Sequence, residues 1–155
     1  VELQPRARDL DVPNPLSINF DNQIELVGYA MSDLTPAAGG SLELTLYWRA
    51  IQPVSQDYTV FAHVIAPATT TIYAGSDSAP GGSATSSWTP GEIVEDRHTL
   101  TVNPDAPPGI YEVEIGLYRN PGDGTFPRLR IVTADGGMAN DYTYLSRVRV
   151  LPRVQ

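Results

Sequence analysis

The sequence predicts an all-β chain folded as an antiparallel sandwich. Three observations lead there. The run Pro107-Pro108-Gly109-Ile110-Tyr111-Glu112-Val113-Glu114-Ile115-Gly116-Leu117-Tyr118 changes side-chain character at every step after its turn, with Tyr111, Val113, Ile115 and Leu117 on one face and Glu112 and Glu114 on the other. That is the period-two pattern of a strand half buried against a core. The 13 Gly and 14 Pro in 155 residues suit many short strands joined by tight turns. No segment carries helical periodicity over three or more turns, and no internal repeat is visible.

Taken in order, residues 1–15 carry Pro5, Pro13 and Pro15 among charged residues and read as an extended leader or linker, with one domain over 16–155. The chain beginning at Val1 reads as a processed product or a piece of a longer protein. Ile24–Met31 is the first clear strand, with Gly28 as a bulge or close-approach point. After the turn at Thr35–Gly40, Leu42, Leu44, Leu46 and Trp48 alternate with Glu43, Thr45, Tyr47 and Arg49. Asp57–Ala66 is apolar on both faces, as a central, doubly covered strand is. A shorter strand is expected over Thr70–Gly75. Residues 76–92 then read as a long polar loop carrying Trp88, and loops of that length are functional or disordered. Ile93–Val102 is a strand with His98, Leu100 and Val102 on one face. Leu129–Val132 and Tyr142–Leu151 supply the last strands, with Val148 and Val150 inward, for eight or nine in all. Tyr111, two residues after Gly109 and two before Val113, sits as the tyrosine corner of an immunoglobulin-like sandwich would. A jelly roll is the alternative architecture.

Composition removes several function classes. Net charge is −8, and all ten basic residues are Arg, a bias that fits codon usage better than function. Nucleic-acid binding needs a basic footprint that this chain lacks, and an anionic membrane surface is disfavoured equally. No stretch approaches the roughly 18 apolar residues that span a bilayer, so direct membrane insertion is not expected. Without Cys there is no disulfide, thiolate nucleophile or Cys-based zinc site, and the compartment stays open. No G-x-S-x-G elbow, P-loop or dinucleotide fingerprint occurs.

The remaining candidates each have two readings. His63 shares a strand face with Phe61 and Ile65, and His98 lies similarly; each is either a hydrogen-bonded core residue or chemistry. Glu112 and Glu114, about 7 Å apart along a strand, and Asp96 beside Glu92 and Glu95 are either a solvated face or a glycosidase-type carboxylate pair. Asp123 and Asp135 are good turn residues that could also offer oxygen to calcium, without the spacing of an EF-hand; no metal and no cofactor are assigned. Trp48, ending an apolar face, reads as core. Trp88, between Ser87 and Thr89, reads either as a lid on the core edge or as an exposed surface on which a sugar ring stacks.

A set of segments carries a resemblance: Leu46-Tyr47-Trp48-Arg49-Ala50; Asp57-Tyr58-Thr59-Val60-Phe61-Ala62-His63-Val64; Asp77 and Pro80; Trp88-Thr89-Pro90-Gly91-Glu92 and Asp96; Pro107-Pro108-Gly109-Ile110-Tyr111; and Gly116-Leu117-Tyr118. Over roughly residues 22–150 the chain is similar to the C-terminal soluble domain of bacterial multi-pass membrane glycosyltransferases of the dolichyl-phosphate-mannose type. The resemblance implies an extracytoplasmic β-sandwich, tethered to the cytoplasmic membrane through the membrane-embedded region of the parent protein. Catalysis in such proteins is attributed to the membrane part, so the domain itself is expected to be a non-catalytic accessory module. Its expected partner is carbohydrate, with Trp88, Asp77, His63 and Asp96 as ligand-binding candidates; the alternative is a structural or protein-interaction module with no small ligand. Similar domains tend to carry a Gly in the turn after the His63 strand, where this chain reads Ala66-Pro67-Ala68-Thr69, so a different hairpin geometry is expected there.

Overall fold

The computed structural model describes residues 11–154. Nine strands follow one another: β1 (Ile18–Phe20), β2 (Ile24–Met31), β3 (Ser41–Ala50), β4 (Tyr58–Ala66), β5 (Thr71–Ser78), β6 (Val94–Thr101), β7 (Gly109–Arg119), β8 (Ile131–Val132) and β9 (Thr143–Val150). They form two antiparallel sheets, β6-β3-β2-β1-β8 and β5-β4-β7-β9. The arrangement is immunoglobulin-like: β2-β3-β6 stand as A-B-E against β5-β4-β7-β9 as C′-C-F-G. No helix among the described residues is long and apolar enough to cross a membrane.

Alternation explains which side chains meet between the sheets. Leu42, Leu44, Leu46 and Trp48 of β3 face Val60, Ala62 and Val64 of β4 and Val113, Ile115 and Leu117 of β7, all essentially fully buried. Trp48 is core, tilted against Phe20 at 5.8 Å. The Tyr111 hydroxyl donates to the Pro107 carbonyl oxygen, which closes the expected tyrosine corner. Val113 is fully buried. Of the expected leader, residues 1–10 lie outside the described residues. Beyond them the chain runs along β2, with Tyr29 N–H donating to Pro13 O and Leu16 N–H to Val27 O. Gly28 is both bulge and close approach: the β2–β3 register shifts between Leu26 and Gly28, and a Cβ there would lie 2.6 Å from Pro13 O.

Two elements differ from expectation. β5 runs on to Ser78 because its ladder to β4 continues through His63↔Gly75, Phe61↔Asp77 and Val60↔Ser78. The segment after it is not an open polar loop. It holds two 3-10 turns, Pro80–Gly82 and Thr85–Ser87. Thr85 is fully buried; its hydroxyl accepts from Tyr58 N–H at 3.0 Å and donates to Gln56 O at 2.7 Å, anchoring the start of β4.

The β4–β5 hairpin closes with Thr70 at φ 58° and its N–H on Ala66 O at 2.7 Å. A β-branched residue in the left-handed region costs about 1–3 kcal/mol, while glycine there gives back roughly 0.5–1 kcal/mol of that in chain entropy. Thr70→Gly should therefore raise the unfolding free energy by about 1 kcal/mol in urea titration; an unchanged or lower midpoint would refute strain at this turn.

Candidate functional site

Outward-facing residues of β4, β5 and β7 build a shallow depression on the outer face of the four-stranded sheet. Its lining is Phe61, His63, Asp77, Tyr118, Phe126 and Arg128, around a volume of about 280 Å³. Strand register brings these together. Phe61 lies opposite Asp77 on one side and Gly116 on the other, and His63 lies opposite Gly75 and Glu114. Gly116 has no alternative: a Cβ there would overlap the Phe61 ring, which lies across it. The hairpin that leaves β7 returns with Arg119 N–H on Pro127 O and Leu129 N–H on Leu117 O, which carries Phe126 and Arg128 over the sheet.

Aromatic faces and polar groups alternate in this depression. Phe61 stacks on His63 at 5.1 Å and on Tyr118 at 6.3 Å, while Phe126 meets the edge of Tyr118 at 5.8 Å. The Arg128 guanidinium lies 4.4 Å above the Phe61 ring, and its Nη1 is 3.5 Å from Asp141. His63 Nδ1 is 3.1 Å from Glu114 Oε1, and Nε2 is 3.6 Å from Asp77 Oδ1. The Tyr118 hydroxyl donates to Asp77 Oδ2 at 2.9 Å. Burial, and then the Asp77 hydrogen bond and charge, push the Tyr118 hydroxyl above the ordinary tyrosine range, so it remains a donor.

Two of the four sequence candidates, His63 and Asp77, thus meet in one place. The other two are elsewhere. Trp88 is only 9% exposed and joins the core as a lid, with its Nε1 buried and unpaired. An indole so placed has no free face for a sugar ring. Asp96 is 2% exposed and belongs to a buried network. Its Oδ2 accepts from Trp48 Nε1 at 3.0 Å and from His98 Nε2 at 2.7 Å, and its Oδ1 from Gly81 N–H at 3.0 Å. Ser76 Oγ then sits 2.8 Å from His98 Nδ1. Serine, histidine and aspartate are in series, as in a hydrolase relay, but the imidazole is wholly enclosed and the carboxylate is saturated by structural donors. The array joins β6 of one sheet to β5 of the other. The surface beside it, lined by Ser78, Ala79, Gly81, Gly82, Glu95, Asp96 and Arg97, is larger at about 410 Å³ but has no aromatic platform.

Both carboxylates of the Glu112–Glu114 pair are engaged by neighbours. Glu112 is held by Arg147 Nε at 2.9 Å, and Glu114 by His63. Asp123 and Asp135 cap their own turns: Asp123 accepts from Thr125 N–H, and Asp135 from Gly137 N–H, each at 3.0 Å. Hydrogen bonds from Thr125 and Thr133, and then from the turn backbone, hold the two carboxyls below the ordinary aspartate value. Sequence reasoning passed over Phe126 and Arg128. The signal for Phe126 was the one used for Trp88, an aromatic in a Gly- and Asp-rich turn, and here that residue is 56% exposed.

Asp96→Ala should cost about 3–5 kcal/mol, because it strands the Trp48 and His98 donors in the core. Urea unfolding measures this, and a loss below about 1 kcal/mol would remove the network from the list of fold determinants.

No protein-family model matches the chain, and no curated protein matches it. Among solved structures it is similar to one described as the crystal structure of the C-terminal domain of wzt, with a TM-score of 0.56 and 13% identity over 99% of this chain and 88% of that one. The likeness is one of fold.

Proposed function

We propose that this chain is a non-catalytic, carbohydrate-binding accessory domain. The observation that carries the reading is the outer-face depression, where the rings of Phe61, Tyr118 and Phe126 stand beside the hydrogen-bonding groups of Asp77 and His63. A sugar offers the matching surfaces, an apolar ring face and a rim of hydroxyls. The enclosed Ser76–His98–Asp96 array, and the engagement of Glu112 by Arg147 and of Glu114 by His63, favour binding over hydrolysis. The matched structure is itself a C-terminal domain, which supports reading this chain as a module appended to a larger protein. With the resemblance in the sequence, that parent is a membrane glycosyltransferase-like protein and the module lies on the extracytoplasmic side.

A glycan array probed with the purified domain tests the reading. Hits should weaken about tenfold in Phe126→Ala, the loss of one stacking ring, with unfolding unchanged because that side chain is mostly exposed. An array without hits, or hits indifferent to Phe126, would dispose of it.

A buried Trp88 favours a second reading, a structural or protein-interaction module without a small ligand. Under either reading Trp88→Ala should destabilise the domain, by about 3–5 kcal/mol. If the variant unfolds like the parent, the lid role is wrong.

A further inference from the structure

The hydrogen-bond arithmetic around His63 specifies what kind of group its site accepts. An ionised carboxylate accepts and never donates. The 3.1 Å contact between Glu114 Oε1 and His63 Nδ1 therefore requires the imidazole proton on Nδ1. In the neutral ring Nε2 is then an acceptor, and it faces a second acceptor, Asp77 Oδ1, at 3.6 Å, whereas an imidazolium would donate to Asp77 itself. The Tyr118 hydroxyl holds the other oxygen of Asp77, which fixes how the carboxylate presents Oδ1. Phe61 stacks on the imidazole and fixes its plane. Both oriented acceptors are satisfied by a ligand that brings an N–H or O–H donor to each, as one amine or two neighbouring hydroxyls would. The Asp77 side chain is 45% exposed, so those donors can come from outside.

We propose that the outer-face site recognises its ligand through N–H or O–H donors directed at His63 Nε2 and Asp77 Oδ1. The ligand class is neutral or amine-bearing sugars, against sugars that present a carboxylate or phosphate at that point. This specificity rests on the carbohydrate reading above. Charge agrees with it. Around the depression Asp77, Glu114 and Asp141 outnumber Arg128, and the Arg128 guanidinium is already engaged over Phe61 and beside Asp141.

The chain contains an internal reference. It has two histidines, and the same arithmetic gives them opposite tautomers. In His98, Nε2–H donates to Asp96 while Nδ1 accepts from the Ser76 hydroxyl. A long-range proton–nitrogen correlation spectrum of the intact chain at about pH 7 should show one Nδ1–H and one Nε2–H ring. His63→Gln should remove the Nδ1–H set. If it removes an Nε2–H set instead, or a ring protonated on both nitrogens, the paired acceptors do not exist and the proposal falls. The second arm is an array of neutral, amine-bearing and acidic glycans. Neutral or amine-bearing hits that weaken at least tenfold in Asp77→Asn, whose amide places its own donor toward Nε2, support the proposal. Hits confined to acidic glycans overturn it. A blank array overturns the sugar assignment together with the proposed function, and the spectrum then decides by itself whether the donor-accepting pair stands.

Discussion

The buried carboxylate of Asp96 is the constraint from which much of the rest follows. A charge enclosed among apolar side chains is tolerated only when each of its oxygens is hydrogen-bonded. Here the donors come from three different elements: Trp48 on β3, His98 on β6 and the backbone of Gly81 in the turn after β5. Through His98 the network reaches Ser76 on β5, in the opposite sheet. The pairing therefore fixes how the two sheets meet along one edge of the sandwich. It also brings the turns after β5 back toward β6, from where Trp88 folds in as a lid.

That constraint reaches the candidate site by simple alternation. Side chains of a strand point to opposite faces in turn, so drawing Ser76 inward to His98 sends Asp77 outward. There it lies across from Phe61 and within reach of His63 and Tyr118. The buried network and the exposed depression are two sides of the same short stretch of β5. Gly116 completes the floor, since any larger residue would push Phe61 off β7 and out of its stack with His63. The depression is thus built on rigid strands, with only Phe126 and Arg128 supplied by a loop.

The strand pattern was legible because it is local. Alternation in β3 and β7, the two apolar faces of β4 and the tyrosine at the start of β7 each follow from neighbouring residues. The site was half legible. His63 stood out on an apolar strand face and Asp77 in a set of motifs, but nothing in their spacing shows that register makes them neighbours. For Trp88 the sequence left open a lid or an exposed surface, and for Asp96 a solvated face or a carboxylate pair, because burial is a property of the whole fold; the structure makes Trp88 a lid and encloses Asp96. Phe126 presents the converse, an aromatic in a turn that does stay in solvent.

The all-β class, the place of most strands, the tyrosine corner and the lack of any basic footprint can all be read from the chain without its fold. Those depend on period, turn chemistry and charge, which short segments carry. Only the assembled sheets set which histidine is enclosed and which lines the outer depression, and which carboxylates are spent on buried donors and which stay at the surface. The physical reason is that a side chain's solvent access and hydrogen-bond partners are set by residues distant in the chain: Asp96 by Trp48, 48 positions away, and His63 by Glu114, 51 positions away.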